Sequence, residues 1–337
     1  MTKTIAFPGL GFQVELNPIA FSIGDITVKW YGIILTLGIV CAFFYFYLRG
    51  TRTEHFKSDH IYDMTLWCVP IAIVGARFMY VITTLDTRDY KSFYDVIAIW
   101  NGGIAIYGAI IAGALTVLIY CRVKHLRALK VFDAISPAVM LGQIIGRWGN
   151  FVNGECYGWT ENVASLPWRM EVEGAFREEI VDGVTKKIYL DCVHPTFFYE
   201  SFWNLIGFLL INLVFYKRKR FNGQIFCLYM GWYGLGRAFI ESIRTDSLYI
   251  TGTRIKASVL IGVLTLIAAI VLYICLSIKN RPSKEDTAEY TPKYAGISMQ
   301  TAPDEQLAYS SEASEADSAD EGSDDITTEE KTDGDID

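Results

Sequence analysis

The chain has 337 residues, of which 52% are hydrophobic, and a formal net charge of -7. So apolar a composition over this length excludes an ordinary soluble globular protein and points to a polytopic membrane protein. The net charge sums two unlike parts: residues 287–337 are crowded with Asp, Glu, Ser and Thr, and the remainder is basic.

Residues 1–30 are mixed in character, contain Pro8 and Pro18, and read as an amphipathic or strand-like extracytoplasmic arm at the membrane interface. No cleavable signal peptide is expected, because no basic region leads directly into a short apolar run with a small-residue cleavage site. Seven spans are predicted within a 31–280 membrane domain: Tyr31–Leu48, His60–Leu85, Ile97–Tyr120, Val131–Val152, Pro195–Tyr216, Gln224–Ile243 and Ala257–Ile278. Each is near the roughly 20 residues that cross a bilayer. Residues 153–194 are long enough for a small extracytoplasmic cap. Residues 281–337 read as a disordered acidic cytoplasmic tail, too poor in large apolar side chains to fold.

Basic residues follow spans one, three, five and seven, which by the positive-inside rule makes those ends cytoplasmic. The fold expected is thus an all-α, seven-helix integral membrane protein with its N-terminus outside and its C-terminus cytoplasmic. The tetrad Lys217–Arg220 reads as an orientation signal and nothing more. Five of the seven cysteines lie in or beside apolar segments and read as core residues. Cys156 and Cys192 share the exterior loop, where a disulfide is one alternative. No solenoid repeat, heptad array, phosphate-loop or dinucleotide glycine pattern, or paired metal-ligand spacing is present.

Four stretches carry polar groups that are costly in lipid. Gly146–Gly158 reads G-R-W-G-N-F-V-N-G-E-C-Y-G. Gly142, Gly146 and Gly149 suit close helix approach, but packing does not account for Arg147, Asn150, Asn153 and Glu155. An Arg–Glu structural pair is one reading and an anion site at headgroup depth is the other; Asn153-Gly154 suggests a turn. Tyr233, Arg237, Glu241 and Arg244 form a second stripe at i, i+4, i+8 and i+11 on one helix face. It either pairs with itself or, with Arg147, presents arginine forks to a lipid phosphate. In W-N-G-G-I-A-I-Y-G, Trp100–Gly108, the glycines break a helix before it crosses, and Tyr107 follows. In H-P-T-F-F-Y-E, Pro195 and Thr196 suit a helix start, Glu200 sits one turn in, and a structural cap is the simpler account.

These stretches, with W-Y-G at Trp30–Gly32 and G-A-R at Gly75–Arg77, resemble the prolipoprotein diacylglyceryl transferase family over residues 15–280. The resemblance implies transfer of a diacylglyceryl group from phosphatidylglycerol to the lipobox cysteine of a preprolipoprotein signal peptide. It places the enzyme in the bacterial cytoplasmic (inner) membrane as a multi-pass protein, its site toward the outer leaflet. No cofactor, metal or nucleic-acid partner is implied. Arg147 and Arg237 would bind the headgroup, with Tyr31, Asn150, Tyr233, Glu241 and Arg244 completing the substrate site. Arg147, Arg237, Asn150, Glu155 and Tyr107 would be the catalytic set. The family's essential histidine after the broken helix is here Tyr107, so the thiol proton falls to Glu155 or to no dedicated base. A lipid or anion transporter is the rival reading, since broken helices with intramembrane arginines also suit anion passage.

Overall fold

The structure is a computed structural model that describes residues 2–24, 26–99, 102–181, 184–247, 249, 253 and 255–280. Trp100, Asn101 and the acidic tail of residues 281–337 lie outside the described residues.

Apolar runs of the expected length become helices. They are α1 (Trp30–Arg52), α2 (Ser58–Thr83), the short α3 (Phe93–Ile97), α4 (Ile106–Val123), α5 (Ala128–Asn153), α6 (Thr196–Leu210), α7 (Gln224–Ile243) and α8 (Ala257–Lys279). A π turn at Ile211–Phe215 and a 3-10 turn at Tyr216–Arg218 prolong α6. Six of these segments are long and apolar enough to cross a membrane, and the chain is read as a multi-pass membrane protein. α7 falls outside those six although it has 20 residues, because it carries Arg237 and Glu241. The third span begins nine residues later than its sequence suggests, at Ile106 rather than Ile97. The chain ahead of it runs without helix from Gly102 to Ala105.

The helices pair through small residues, as they do where lipid offers no hydrophobic drive between them. α1 lies on α5, α2 on α4 and α7 on α8. A Cβ on Gly108 of α4 would stand 2.2 Å from the Gly75 carbonyl oxygen of α2, so that crossing admits glycine alone. Most helix faces elsewhere carry exposed Leu, Ile, Val and Phe, as lipid contact requires.

One end of the bundle is held by buried charges. Asp133 of α5 accepts hydrogen bonds from the Gly223 and Phe226 amides at 2.7 and 2.9 Å, capping the start of α7. Lys219 bridges Asp133 at 3.0 Å and Glu54, just beyond α1, at 2.6 Å. This corrects the reading of Lys217–Arg220 as an orientation signal only: Lys219 is buried in a triad that ties α1, α5 and the α6–α7 turn.

The opposite end carries short strands, which an all-α description omits. The strands are β1 (Lys3–Phe7), β2 (Phe12–Leu16), β3 (Ile19–Ile23), β4 (Ile26–Lys29), β5 (Glu171–Val172), β6 (Phe176–Val181) and β7 (Val184–Tyr189). β1 is central in an antiparallel sheet of order β2-β1-β5, with Ile5 opposite Val172. β3 and β4 form one hairpin, β6 and β7 another. The N-terminal arm and the 153–194 loop therefore share a core: Ile5, Phe7, Met170, Val172, Val193 and Phe197 pack together above Phe151. Lys3 of β1 reaches the end of α5, donating to the Asn153 carbonyl at 2.9 Å.

Candidate active site

The signature stretch is the last turn of α5 and the turn beyond it. α5 ends at Asn153, and Gly154 takes φ +59°, a left-handed cap that glycine adopts readily. Its amide returns to the Phe151 carbonyl at 2.9 Å. The Asn153-Gly154 pair is thus a turn, as its residue types suggest. Gly149 lets the Tyr31 ring lie against α5: a Cβ there would be 2.8 Å from that ring.

Arg147 faces α6. Its Nη2 pairs with Glu200 Oε2, and its Nη1 lies 3.4 Å from Asn150 Oδ1. Asn150 and Asn153 both donate to Glu155 Oε1, at 3.0 and 3.1 Å. The structural-pair reading of the stretch is corrected here, because the carboxylate that meets Arg147 is Glu200, not Glu155. Glu155 is exposed, and two side-chain amides hold its Oε1.

The α7 stripe meets the same carboxylate. Arg237 Nη1 lies 3.3 Å from Glu200 Oε1, and its Nη2 pairs with Glu241 Oε2 at 2.9 Å. Arg244 Nη1 is 3.4 Å from both Glu200 and Glu241. Arg244 Nε and Nη2 grip Asp246 bidentately at 3.0 and 2.9 Å. Burial would raise the Asp246 carboxyl, but these bonds outweigh it and hold it below the usual carboxylate range. The exit of α7 is further laced to the signature turn. Trp159 N donates to the Ile243 carbonyl at 2.8 Å, Thr245 N to Tyr157 at 3.2 Å, and Lys256 Nζ to Glu241, Ser242 and Arg244 carbonyls at 2.6–3.1 Å.

The arginines differ in access. The Arg147 and Arg237 side chains keep 21% and 16% of their surface exposed, whereas Arg244 keeps 8% and has a carboxylate at each of its three guanidinium nitrogens. Arg147 and Arg237 are therefore the more accessible pair, and Arg244 the more buried. Tyr233, on the same face of α7, lies within electrostatic reach of Arg237, Arg147, Glu200 and Tyr107.

Tyr107 opens α4 and is partly exposed. The segment before it is pinned by Arg77 of α2, a buried side chain whose sequence gave no sign of this task. Its guanidinium donates to the carbonyls of Asp95 at 2.6 Å, Val96 at 2.7 Å, Gly102 at 2.8 Å and Gly103 at 2.7 Å. Gly102 and Gly103 take φ of +81° and +82°, and a Cβ on Gly103 would stand 2.4 Å from the Tyr80 ring. Irregular backbone at this depth has its carbonyls satisfied from within the protein. A cavity of about 460 Å3 opens beside this segment, lined by Thr27, Lys29, Tyr31, Ile99, Gly102 and Asn153 among others.

Two sequence expectations resolve simply. Cys156 and Cys192 are free thiols, and burial pushes the Cys156 thiol up to about 12. His194 is buried between Thr160 Oγ1 at 2.8 Å and Tyr199 OH at 3.3 Å, and burial lowers its pKa; it braces the cap against α6. Glu200, read from the sequence as part of a structural cap, instead joins the arginine cluster. Its signal was available, since it is the only charged side chain in α6.

Among the described residues, no group of His, Cys, Asp and Glu is placed to hold a metal ion. The fold and site together define a multi-pass membrane protein with a cluster of arginines and carboxylates at one end of its helices. The chain belongs to the prolipoprotein diacylglyceryl transferase family, whose model matches residues 18–275. It is 43% identical over 273 residues to a phosphatidylglycerol–prolipoprotein diacylglyceryl transferase of Lactobacillus delbrueckii subsp. bulgaricus, covering 80% of this chain and 94% of that one. Relatives of the same name from Finegoldia magna and Lysinibacillus sphaericus are 42% and 38% identical, covering 77% and 80% of this chain and 95% and 96% of theirs.

Proposed function

We infer that this chain transfers the sn-1,2-diacylglyceryl group of phosphatidylglycerol to the lipobox cysteine of preprolipoproteins, a reading supported by relatives named phosphatidylglycerol–prolipoprotein diacylglyceryl transferase. One observation carries the chemistry: Arg147 of α5 and Arg237 of α7 converge, partly exposed, on a single carboxylate. Two guanidiniums that share one carboxylate can share a phosphodiester, whose non-bridging oxygens offer the same bidentate geometry.

The reaction then follows from the groups at hand. The acceptor thiol gives up its proton, and the sulfur attacks the glyceryl carbon that bears the phosphate ester. A carbon–sulfur bond forms, the carbon–oxygen bond breaks, and glycerol phosphate leaves with the electron pair. Thiolate is the reactive form. Arg147 and Arg237 stabilise the charge that develops on the departing phosphate, an effect strengthened in a water-poor cleft. Glu155, exposed and oriented by Asn150 and Asn153, is the acceptor offered for the thiol proton. Tyr107 orients the thiol or headgroup rather than acting as base. Tyr31 and Tyr233 line the site.

In this reading α7 makes a seventh crossing in the bacterial cytoplasmic membrane. The basic ends face the cytoplasm and the strand-built end faces outward. Residues 1–30 and 153–194 form the extracytoplasmic part, 31–280 the membrane domain, and 281–337 a cytoplasmic tail. Lipid enters sideways between helices, and the signal peptide reaches the site from the outer leaflet. Transport of a lipid or anion has no support in the named relatives.

The test uses purified protein in detergent with phosphatidylglycerol and a lipobox peptide. Mass spectrometry should show the peptide cysteine gaining one diacylglyceryl unit without any gradient. An unmodified peptide under conditions where the protein is folded would refute the reading.

A further inference from the structure

Glu200 gathers an unusual number of cations. Its carboxylate meets Arg147, Arg237 and Arg244, from α5, from α7 and from the turn after α7. Glu241 and Asp246, the other acids of the cluster, are held more firmly. Glu241 accepts from Ser247 Oγ at 2.8 Å, and Asp246 is gripped bidentately by Arg244. The hydrogen bonds and ion pairs of Glu200 are to guanidiniums alone. It is the acid least tied to a fixed partner.

The charge balance points the same way. Three guanidiniums face three carboxylates, so the resting cluster is neutral and offers little net attraction to an arriving anion. Both Nη atoms of Arg237 are engaged by carboxylates, while its buried Nε has no hydrogen-bond partner among the described residues. Buried donors are normally satisfied, so this guanidinium is short of an acceptor. A phosphate can win Arg147 and Arg237 only if Glu200 yields them. Arg244 lies within 3.4 Å of the Glu200 Oε1 atom and is anchored by Asp246, so it can keep the displaced carboxylate.

We propose that Glu200 is a placeholder anion, standing on Arg147 and Arg237 in the empty site, passing to Arg244 when the headgroup phosphate binds, and returning as the phosphate product leaves. This rests on the transferase reading and adds a positioning role to it. The return step answers a difficulty in that chemistry. The substrate is a phosphodiester with one negative charge, whereas glycerol phosphate is a monoester carrying about 1.5–2 at neutral pH. The clamp would hold its product more tightly than its substrate. A competing carboxylate tethered beside the arginines opposes that.

The experiment measures steady-state transfer from phosphatidylglycerol to a lipobox peptide in detergent, with added glycerol phosphate as inhibitor. Glu200→Gln keeps the shape and removes the charge. Its KM for phosphatidylglycerol and its inhibition constant for glycerol phosphate should each fall on the order of tenfold, with kcat lowered by slower product release. Glu200→Asp, which keeps the charge, should bring the inhibition constant back toward the parent value. Arg244→Gln removes the group that receives the carboxylate and should move both constants the other way. A side chain that merely packs would weaken binding in every variant. Unchanged or weaker product inhibition in Glu200→Gln overturns the proposal; if that variant does not fold, unchanged or tighter inhibition in Arg244→Gln does so. Absence of transfer by the parent protein would instead remove the transferase reading itself.

Discussion

Replacing Arg77 by lysine tests whether the broken segment before α4 is held from α2. Arginine spans the segment because its planar fork sends donors both ways, to Asp95 and Val96 on one side and to Gly102 and Gly103 on the other. A lysine ammonium keeps the charge but is a compact point on a flexible stem, and it cannot serve both sides at once. Each hydrogen bond from a charged donor contributes about 1.5–3 kcal/mol. Losing two of the four removes about 3–6 kcal/mol if neither carbonyl is resatisfied, and water at the partly exposed edge reduces this to about 2–4 kcal/mol. The Ala105 amide, bonded to the Ala76 carbonyl at 3.0 Å, reports the loss directly. Its hydrogen exchange should speed up by on the order of 30- to 1,000-fold, at about 1.4 kcal/mol per decade. Exchange in α5 and α7 should stay as it was. Transfer activity should fall at least tenfold, because Tyr107 and the Gly102 wall of the cavity ride on this segment. Unchanged exchange at Ala105 in Arg77→Lys would refute the account.

Other outcomes follow from the same geometry. Arg147→Ala and Arg237→Ala should each lower transfer by on the order of 100-fold or more while the protein stays folded, and full activity in either would remove the phosphate clamp. Tyr107→Phe should impair transfer without abolishing it; a loss as deep as in the arginine variants would make the hydroxyl chemically essential. Lys219→Met leaves Glu54 and Asp133 buried without their cation and should cost about 3–5 kcal/mol of stability, read as a lowered Tm in detergent, with KM unchanged. With its thiol pushed up to about 12 by burial, Cys156 stays protonated at neutral pH. It should resist a maleimide at pH 8 until the protein is denatured, and fast labelling of the folded protein would contradict that burial.

Much of this architecture is legible in the sequence because membrane spans announce themselves by length and hydropathy. The tyrosine, arginine and glutamate stripe of α7 is equally visible, since its members recur on one helical face. What stays hidden depends on which elements meet. Arg147 has Glu155 eight residues away in the sequence, yet its carboxylate comes from α6, and no spacing within α5 discloses that. Lys219 sits among four basic residues, and nothing in the string separates the buried one from its exposed neighbours. The pairing of β1 with β5 joins residues more than 160 positions apart through two backbone partners, too short a ladder to leave a pattern.

The hidden part and the costly part of this protein coincide. Arg77, Glu200 and Lys219 are buried ionisable side chains, and each joins elements that the apolar surfaces alone would leave free to slide. Arg77 binds α2 to Asp95, Val96, Gly102 and Gly103, Glu200 binds α6 to α5 and α7, and Lys219 binds the turn after α1 to α5 at the other end. A charge buried in lipid-facing surroundings is tolerated when its partner is fixed, and the fixing is what sets the site. Glu200 thereby ties α5 and α7 at the separation at which Arg147 and Arg237 meet one carboxylate.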